Sequence, residues 1–504
     1  MKEYNLDFKV DQPATFRILI KYIQIYFMLI LLLLSINILV YESGDSDFIK
    51  ILNTLIPLSV LVLSLLLVAK FFFDSTANIL NPFVWFLLAI SAYYGLGPLV
   101  YIYGTEDSIF YINAYYFVDS YGLFKTNLLN ISGISMTIFS FLMFSILWSK
   151  LKVYSYVLVD DKFFKESRSK LWEKEAKIAT YFFLIMGGSV KYFLQLPILF
   201  GSIDIVLPNS LIMFASLAPL SLIPLYWLFK SRAGIYRWMF FSVLFMELIS
   251  VFSTLSKQQI IELFIIIIAA FSFRGLKARG LIKGGVLIVL AYVFILTPFV
   301  HFSRAYTAQT NSSLNFSNLS QLFEVIKEYN ESGLTYEQPG FPELQNWWTR
   351  LAYSNAQKFS MDQFDLNKPG NTFSKIPYVV VPRIINQNKP NMHNGVEFTE
   401  AVIGYSYASG PGIFGEGYWN SGWLGLIFVS AFAGGMISIL CIFSKWIIFK
   451  RSFLYLPVPF FGIFLGYRID DWFVPTYMGE GIKILILFLM LKYIFRPILS
   501  RIIK

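Results

Sequence analysis

The chain has 504 residues, of which 56% are hydrophobic and only 14% charged, and its formal net charge is +10. Soluble domains carry about 25% charged residues, so an ordinary soluble enzyme is excluded and an all-α polytopic membrane protein is expected. The basic residues are dispersed between apolar runs rather than gathered on one surface, which argues against nucleic acid as a partner and fits Lys and Arg on cytoplasmic loops.

A bilayer core needs about 20 apolar residues per helix. The first run, near 18–41, is too long for a signal-peptide core and lacks a small-residue cleavage site, so it reads as an uncleaved span. Further spans are expected near 51–73, 82–103, 126–149, 178–198, 209–230, 236–253, 258–274, 283–302, 421–442, 453–469 and 478–497, about 12 in all. The seventh and eighth, parted by "STLSKQQ", predict a hairpin. The basic loops (Lys150 to Lys177, "KSRAGIYR", "RGLKARGLIKGG", "KWIIFKR") fall on one side, and "ESGDSD", "GTEDS" and "GSIDIVLPN" on the other. Both termini are therefore expected in the cytoplasm. The chain divides into helices 1–9 (residues 1–302), an extracytoplasmic insertion (303–420) and helices 10–12 (421–504). The insertion contains "NLSQLFEVIKEY", an amphipathic pattern suited to a surface helix. Cys441 stands alone, so no internal disulfide is available.

Ionisable residues gather toward the outer side. Lys191, Glu247 and Glu262 fall in the outer halves of spans, Lys257 in the "STLSKQQ" turn, Arg304 after span nine, and Arg468, Asp470 and Asp471 at the end of span eleven. The insertion adds Arg350, then Arg383, Lys389 and His393 in "VPRIINQNKPNMHNG". Charges inside membranes are costly and commonly functional, so a polar cavity opening outward is expected. Its cations suit a phosphate or diphosphate. Each residue also has a plainer reading. Lys257 snorkels; Lys191, Glu247 and Glu262 pair with one another; Arg468 pairs with Asp470 or Asp471; and His301 is structural. Two distant histidines without metal-ligand spacing argue against zinc, and no nucleotide-binding or serine-hydrolase motif is present.

Four segments occur in a telling order: "LNPFVWFLLAISAYYGLGPLVY", "STLSKQQIIEL", "VVVPRIINQNKPNMHNG" and "GPGIFGEGYWNSGWLGLI". Together they resemble the oligosaccharide repeat-unit polymerases, the Wzy-type O-antigen and exopolysaccharide polymerases. The matching positions are Lys257, Pro382, Arg383, Lys389, Pro390, Gly415, Glu416, Tyr418, Asn420, Gly422 and Gly425, while Ser421 and Trp423 depart from the family pattern. The resemblance implies a GT-C-like, metal-independent glycosyltransferase of the cytoplasmic (inner) membrane, with no cofactor, working on its outer face. Its substrates would be polyprenyl-diphosphate-linked oligosaccharides, with the lipid bilayer and a chain-length regulator as further partners. Lys257, Arg304, Arg350, Arg383 and Lys389 are then expected to face the diphosphate. Glu416 is the first choice of general base and His393 the second. Trp347, Tyr405, Tyr418 and Trp419 are expected against sugars, with Trp348, Tyr353 and Tyr407 as further aromatics; an interfacial belt is their plainer role. For Glu416 the plainer role is a carboxylate at the start of span ten, interacting with that helix's dipole. A lipid-linked glycan flippase is the rival from another class, although no internal repeat is evident. An O-antigen ligase is the nearest rival enzyme.

Overall fold

The computed structural model describes residues 46–150, most of 170–296, 347–379, 394–404 and most of 410–502, with a few single positions. Every regular element among these residues is helical. Six helices are long and apolar enough to cross a membrane: Asp47–Asp74, Pro82–Tyr103, Ser120–Trp148, Trp172–Leu199, Leu211–Ser231 and Gly412–Ile447. Their outward surface stays greasy. Leu424 is 77% exposed and Ile185 67%, as lipid-facing side chains are in a protein whose solvent is hydrocarbon. The described chain has the make-up of a multi-pass membrane protein.

The helices relevant to the site are α1 (Ser46–Asp74), α2 (Pro82–Ile90), α3 (Glu106–Asn113), α4 (Ser120–Lys150), α5 (Lys170–Phe182), α6 (Leu222–Ser231), α7 (Ile235–Ser253), α8 (Lys257–Ser272), α9 (Ala278–Ala291), α10 (Ser354–Asp365), α11 (Asn394–Ile403), α12 (Gly412–Lys450), α13 (Pro457–Tyr467) and α14 (Val474–Met490). The hairpin expected from "STLSKQQ" is present as α7 and α8. Local chemistry sets the boundaries. Pro82 follows Asn81, whose side chain accepts from the Phe83 amide at 3.0 Å, so α2 starts with a cap and a residue that needs no donor. The same Asn81 oxygen accepts from the Cys441 thiol at 2.8 Å, which gives the lone cysteine a structural role. Phe83 and Phe141 stack with centroids 4.1 Å apart, in a core that runs through the bundle.

Helices α4 and α12 form the main seam. Ser140 donates to the Ala431 carbonyl at 2.7 Å and Ser145 meets Ser438 at 2.9 Å, so the two run parallel. Small residues at such a seam let backbones approach, and hydroxyls bond across it. At one end of the bundle Glu175 accepts from Ser452 at 2.6 Å and from Arg496 at 3.3 Å. At the opposite end the described part of the insertion docks. Gln357 of α10 exchanges two amide hydrogen bonds with Asn130 of α4, at 2.7 and 2.9 Å, and both side chains are buried. Asn355 donates to the Ile112 carbonyl at 2.8 Å, and Trp348 to that of Leu96 at 2.7 Å. The stretch "NLSQLFEVIKEY" lies outside the described residues, except Lys327.

Span ten does not start as a simple helix. Inside α12 the backbone breaks at Ser421 (φ −153°, ψ 25°) and Gly422 (φ 58°, ψ −143°), which separates a lead helix over 412–420 from the span proper. The expected start at 421 coincides with this break. Gly422 is in the left-handed region, and a Cβ there would come within 2.7 Å of the Phe364 ring. Gly422→Ala should therefore cost about 1–2 kcal/mol from backbone strain alone and lower the melting temperature in detergent. Leu424→Ala, at a lipid-facing position two residues on, should leave it nearly unchanged.

Candidate functional site

The "GEGYWNSG" segment is a structural hub. Glu416 has no exposed surface, and one carboxylate oxygen accepts from the Val474 amide at the start of α14. The first amides of a helix have no partner within it and carry the positive end of the dipole. A carboxylate oxygen placed there satisfies the Val474 amide, while the other Glu416 oxygen is buried with no hydrogen-bond partner among the described residues. The expectation that Glu416 serves the dipole of its own span is corrected: it serves the dipole of another. Tyr418 is 6% exposed and donates to Asp365 of α10 at 3.0 Å. Asn420 donates to the Thr372 hydroxyl at 2.8 Å and accepts from the Phe373 amide at 3.1 Å. Trp419 packs edge-on to Phe398 at 5.4 Å, and its carbonyl accepts from Gly370 at 2.9 Å. Every side chain of this segment named so far is engaged with the protein itself.

The charges that stand out in the apolar runs gather elsewhere. Lys191, Gln195, Glu247, Glu262, Gln259 and Phe464 line a cavity of about 140 Å³ between α5 and its extension, α7, α8 and α13. Lys191 and Gln195 sit on a wide π-helical turn, Lys191–Gln195, that interrupts the fifth span; such turns are frequent at functional sites. Lys191, 9% exposed, is 2.5 Å from Glu247, which is 1% exposed. Tyr192 donates to the other Glu247 oxygen at 2.7 Å. Glu262 accepts from Gln258 and from Tyr467, the latter at 3.3 Å, and lies 3.7 Å from Arg468. Arg468 thus pairs with Glu262 across the helix interface, while Asp471, one of the two partners expected for it, lies outside the described residues. The Arg468 guanidinium also lies over Trp472, 5.0 Å from the ring centre. Lys191, Glu247 and Glu262 thus line one polar space, with Arg468 paired to Glu262 from outside the lining, and charges in such a low dielectric must be paired.

The remaining expected residues divide into two groups. Arg304, Arg383, Lys389, His393, Tyr405 and Tyr407 lie outside the described residues, as do His301 and Asp471. Lys257 opens α8, one turn before Glu262, and its side chain is also outside them. Trp347 stacks on Trp348 with centroids 6.2 Å apart. Arg350 is exposed and lines a separate cleft beside Tyr353. The structure thus brings Lys191, Glu247, Glu262 and Arg468 together, and leaves Glu416, Tyr418 and Trp419 in the packing. Sequence reasoning missed Tyr192 and Tyr467. The signal was there: each is next in sequence to a cation already singled out.

Fold and site define an all-helical, multi-pass membrane protein with a charged cavity among its helices. Comparison of the chain with protein-family models, curated proteins and solved structures gives no match. No cluster of His, Cys, Asp and Glu that could hold a metal occurs among the described residues.

Two outcomes follow from this geometry. Lys191→Met strands a buried Glu247 charge and should destabilise the protein by about 3–5 kcal/mol, while Lys191→Met with Glu247→Met should recover most of that loss in thermal melts. Glu416→Gln keeps an acceptor for the Val474 amide and should melt close to wild type, whereas Glu416→Ala should melt well below it.

Proposed function

We propose that this chain is a membrane glycosyltransferase of the polymerase type, acting at the outer face of the cytoplasmic membrane. It transfers a glycan from its polyprenyl diphosphate onto a hydroxyl of the non-reducing sugar of a second lipid-linked repeat unit. The observation that carries this reading is the cavity of about 140 Å³ among apolar helices, lined by one cation, Lys191, and two carboxylates, Glu247 and Glu262, the latter paired with Arg468. The reaction asks for both. The C1–O bond to the diphosphate breaks and a C1–O bond to the acceptor hydroxyl forms, so negative charge grows on the leaving diphosphate and a proton leaves the hydroxyl. Cations stabilise the first change and a carboxylate takes the proton. The order of the four sequence segments supports the same reading.

Within it, Lys191 and Arg468 face the diphosphate and Glu262 is the base, since Glu262 lines the cavity and Glu416 is sealed against another helix. Glu416 becomes a positioning residue. Arg383 and Lys389 remain further diphosphate ligands on the resemblance, with Lys257 beside them, and Arg304 on its place after span nine, whereas Arg350 lines a separate cleft. His393 stays second as base on the same ground. A transporter is the one competing reading with an observation in its favour: the buried Lys191–Glu247 pair is also what a substrate or ion path through a bundle would use.

The test is purified protein in liposomes with a lipid-diphosphate-linked repeat unit, without metal or nucleotide, read as a product ladder. Wild type should give the ladder. Glu262→Gln should slow it about 10²–10⁴-fold, and Glu416→Gln should keep it within a small factor. The reverse pattern would return the base to Glu416. A single addition to a different acceptor would mark a ligase, and substrate crossing the bilayer without a ladder would mark a transporter.

A further inference from the structure

A second cleft, of about 110 Å³, shares no lining residue with the charged cavity. Three stretches distant in sequence wall it: Tyr111, Tyr115 and Tyr116 in and after α3, Arg350 and Tyr353 ahead of α10, and Thr399 on α11. It lies where the insertion meets the end of the bundle. Arg350 and Tyr353 stand out in the sequence, but nothing there joins them to α3 and α11, which are about three hundred residues apart.

The tyrosine rings are held before any ligand arrives. Tyr111 and Tyr115 pack edge to face at 6.0 Å, Tyr353 packs against Tyr93 at 5.7 Å, and Tyr116 against Phe359 at 5.3 Å. Tyr116 also donates to Asp362 at 2.8 Å. Burial and the Asp362 carboxylate push its phenol up to about 12, so it stays a protonated donor throughout the working range. Lys358 holds the same Asp362 oxygen at 2.5 Å, which anchors that wall to α10. Rings fixed in advance lose little further freedom on binding.

The lining chemistry is specific in kind. It consists of aromatic faces, hydroxyls, an amide, one guanidinium at the rim and aliphatic filler, with no Asp, Glu, Lys or His. Without a base or a carboxylate nucleophile, such a cleft holds a ligand and does not react with it. A pyranose presents just the complementary surfaces: C–H faces that lie on aromatic rings, and hydroxyl edges that exchange hydrogen bonds. An extended peptide would instead seek a free strand edge, and there is no strand among the described residues.

We infer that this tyrosine-walled cleft is a glycan subsite, binding sugars of the oligosaccharide chain that lie away from the reacting bond. The inference rests on the glycosyltransferase reading and adds to it where the chain is gripped. It replaces Tyr418 and Trp419, which the packing consumes, with Tyr111, Tyr115, Tyr116 and Tyr353. Binding energy from non-reacting sugars would then hold the acceptor or the growing chain in place.

The experiment uses full-length protein in nanodiscs. The probe is the set of lipid-free oligosaccharides released by mild acid from the envelope polysaccharide of the producing cells. Saturation-transfer NMR should show saturable binding with transfer to ring C–H protons. Tyr115→Leu and Tyr353→Leu should each weaken it about tenfold, while Tyr115→Phe, which keeps the face, should bind nearly as wild type. Melting temperatures of all variants identify any that misfold, and Tyr115→Phe against Tyr115→Leu remains informative if Tyr353→Leu is lost. No saturable binding by wild type, or equal binding by a folded leucine variant, overturns the subsite. The ladder assay on the same preparation separates the two proposals. Tyrosine-dependent binding without a ladder keeps the cleft and removes the polymerase; a ladder without free-glycan binding does the opposite.

Discussion

A carboxylate with no access to water must find a donor, and much of this molecule is arranged around the one that Glu416 finds. Its partner, the Val474 amide, belongs to the first turn of α14. In hydrocarbon that amide would otherwise carry the full penalty of an unsatisfied group. That contact satisfies the amide and fixes the lead helix of span ten against the start of the last long helix. Asn420, one turn on, performs the same service for the 372–375 turn of the insertion, and Tyr418 for α10. This nine-residue lead helix thereby adds a second set of ties to those that Gln357 and Asn355 make with the bundle.

That attachment explains the break at Ser421 and Gly422. A straight continuation of span ten would carry Glu416, Tyr418 and Asn420 along the span axis, away from α10 and α14. The positive φ of Gly422 turns the lead helix aside, and Gly425 lets the two limbs touch, since a Cβ there would run into the Gly417 carbonyl. The glycine spacing that drew attention in the sequence has this mechanical meaning: it sets the angle at which the insertion is presented.

The charged cavity depends on a different irregularity. A π turn in the fifth span lets Lys191 and Tyr192, adjacent in sequence, both reach Glu247. On the other wall Glu262 meets Tyr467 and Arg468 across a helix interface. An anion entering the cavity must compete with Glu247 or Glu262 for the cations, which gives the site a means of choosing a multivalent phosphate over a weaker anion.

The sequence by itself determined the class of the protein and most helix boundaries. Apolar runs of the right length, Pro after Asn at 81–82 and the polar "STLSKQQ" turn are local signals, and the bilayer makes them binding because unpaired backbone is not tolerated there. It also marked Lys191, Glu247, Glu262 and Arg468, since charge in an apolar run stands out without any structure. Only the tertiary structure decided who pairs with whom. Arg468 pairs with Glu262, some two hundred residues away, and Glu416 meets the first amide of α14. Partner choice depends on which helix faces meet, and hydropathy carries no information on that. The tyrosine cleft was hidden for the same reason: its walls exist only once α3, α10 and α11 have been brought together by contacts such as Asn355 with Ile112.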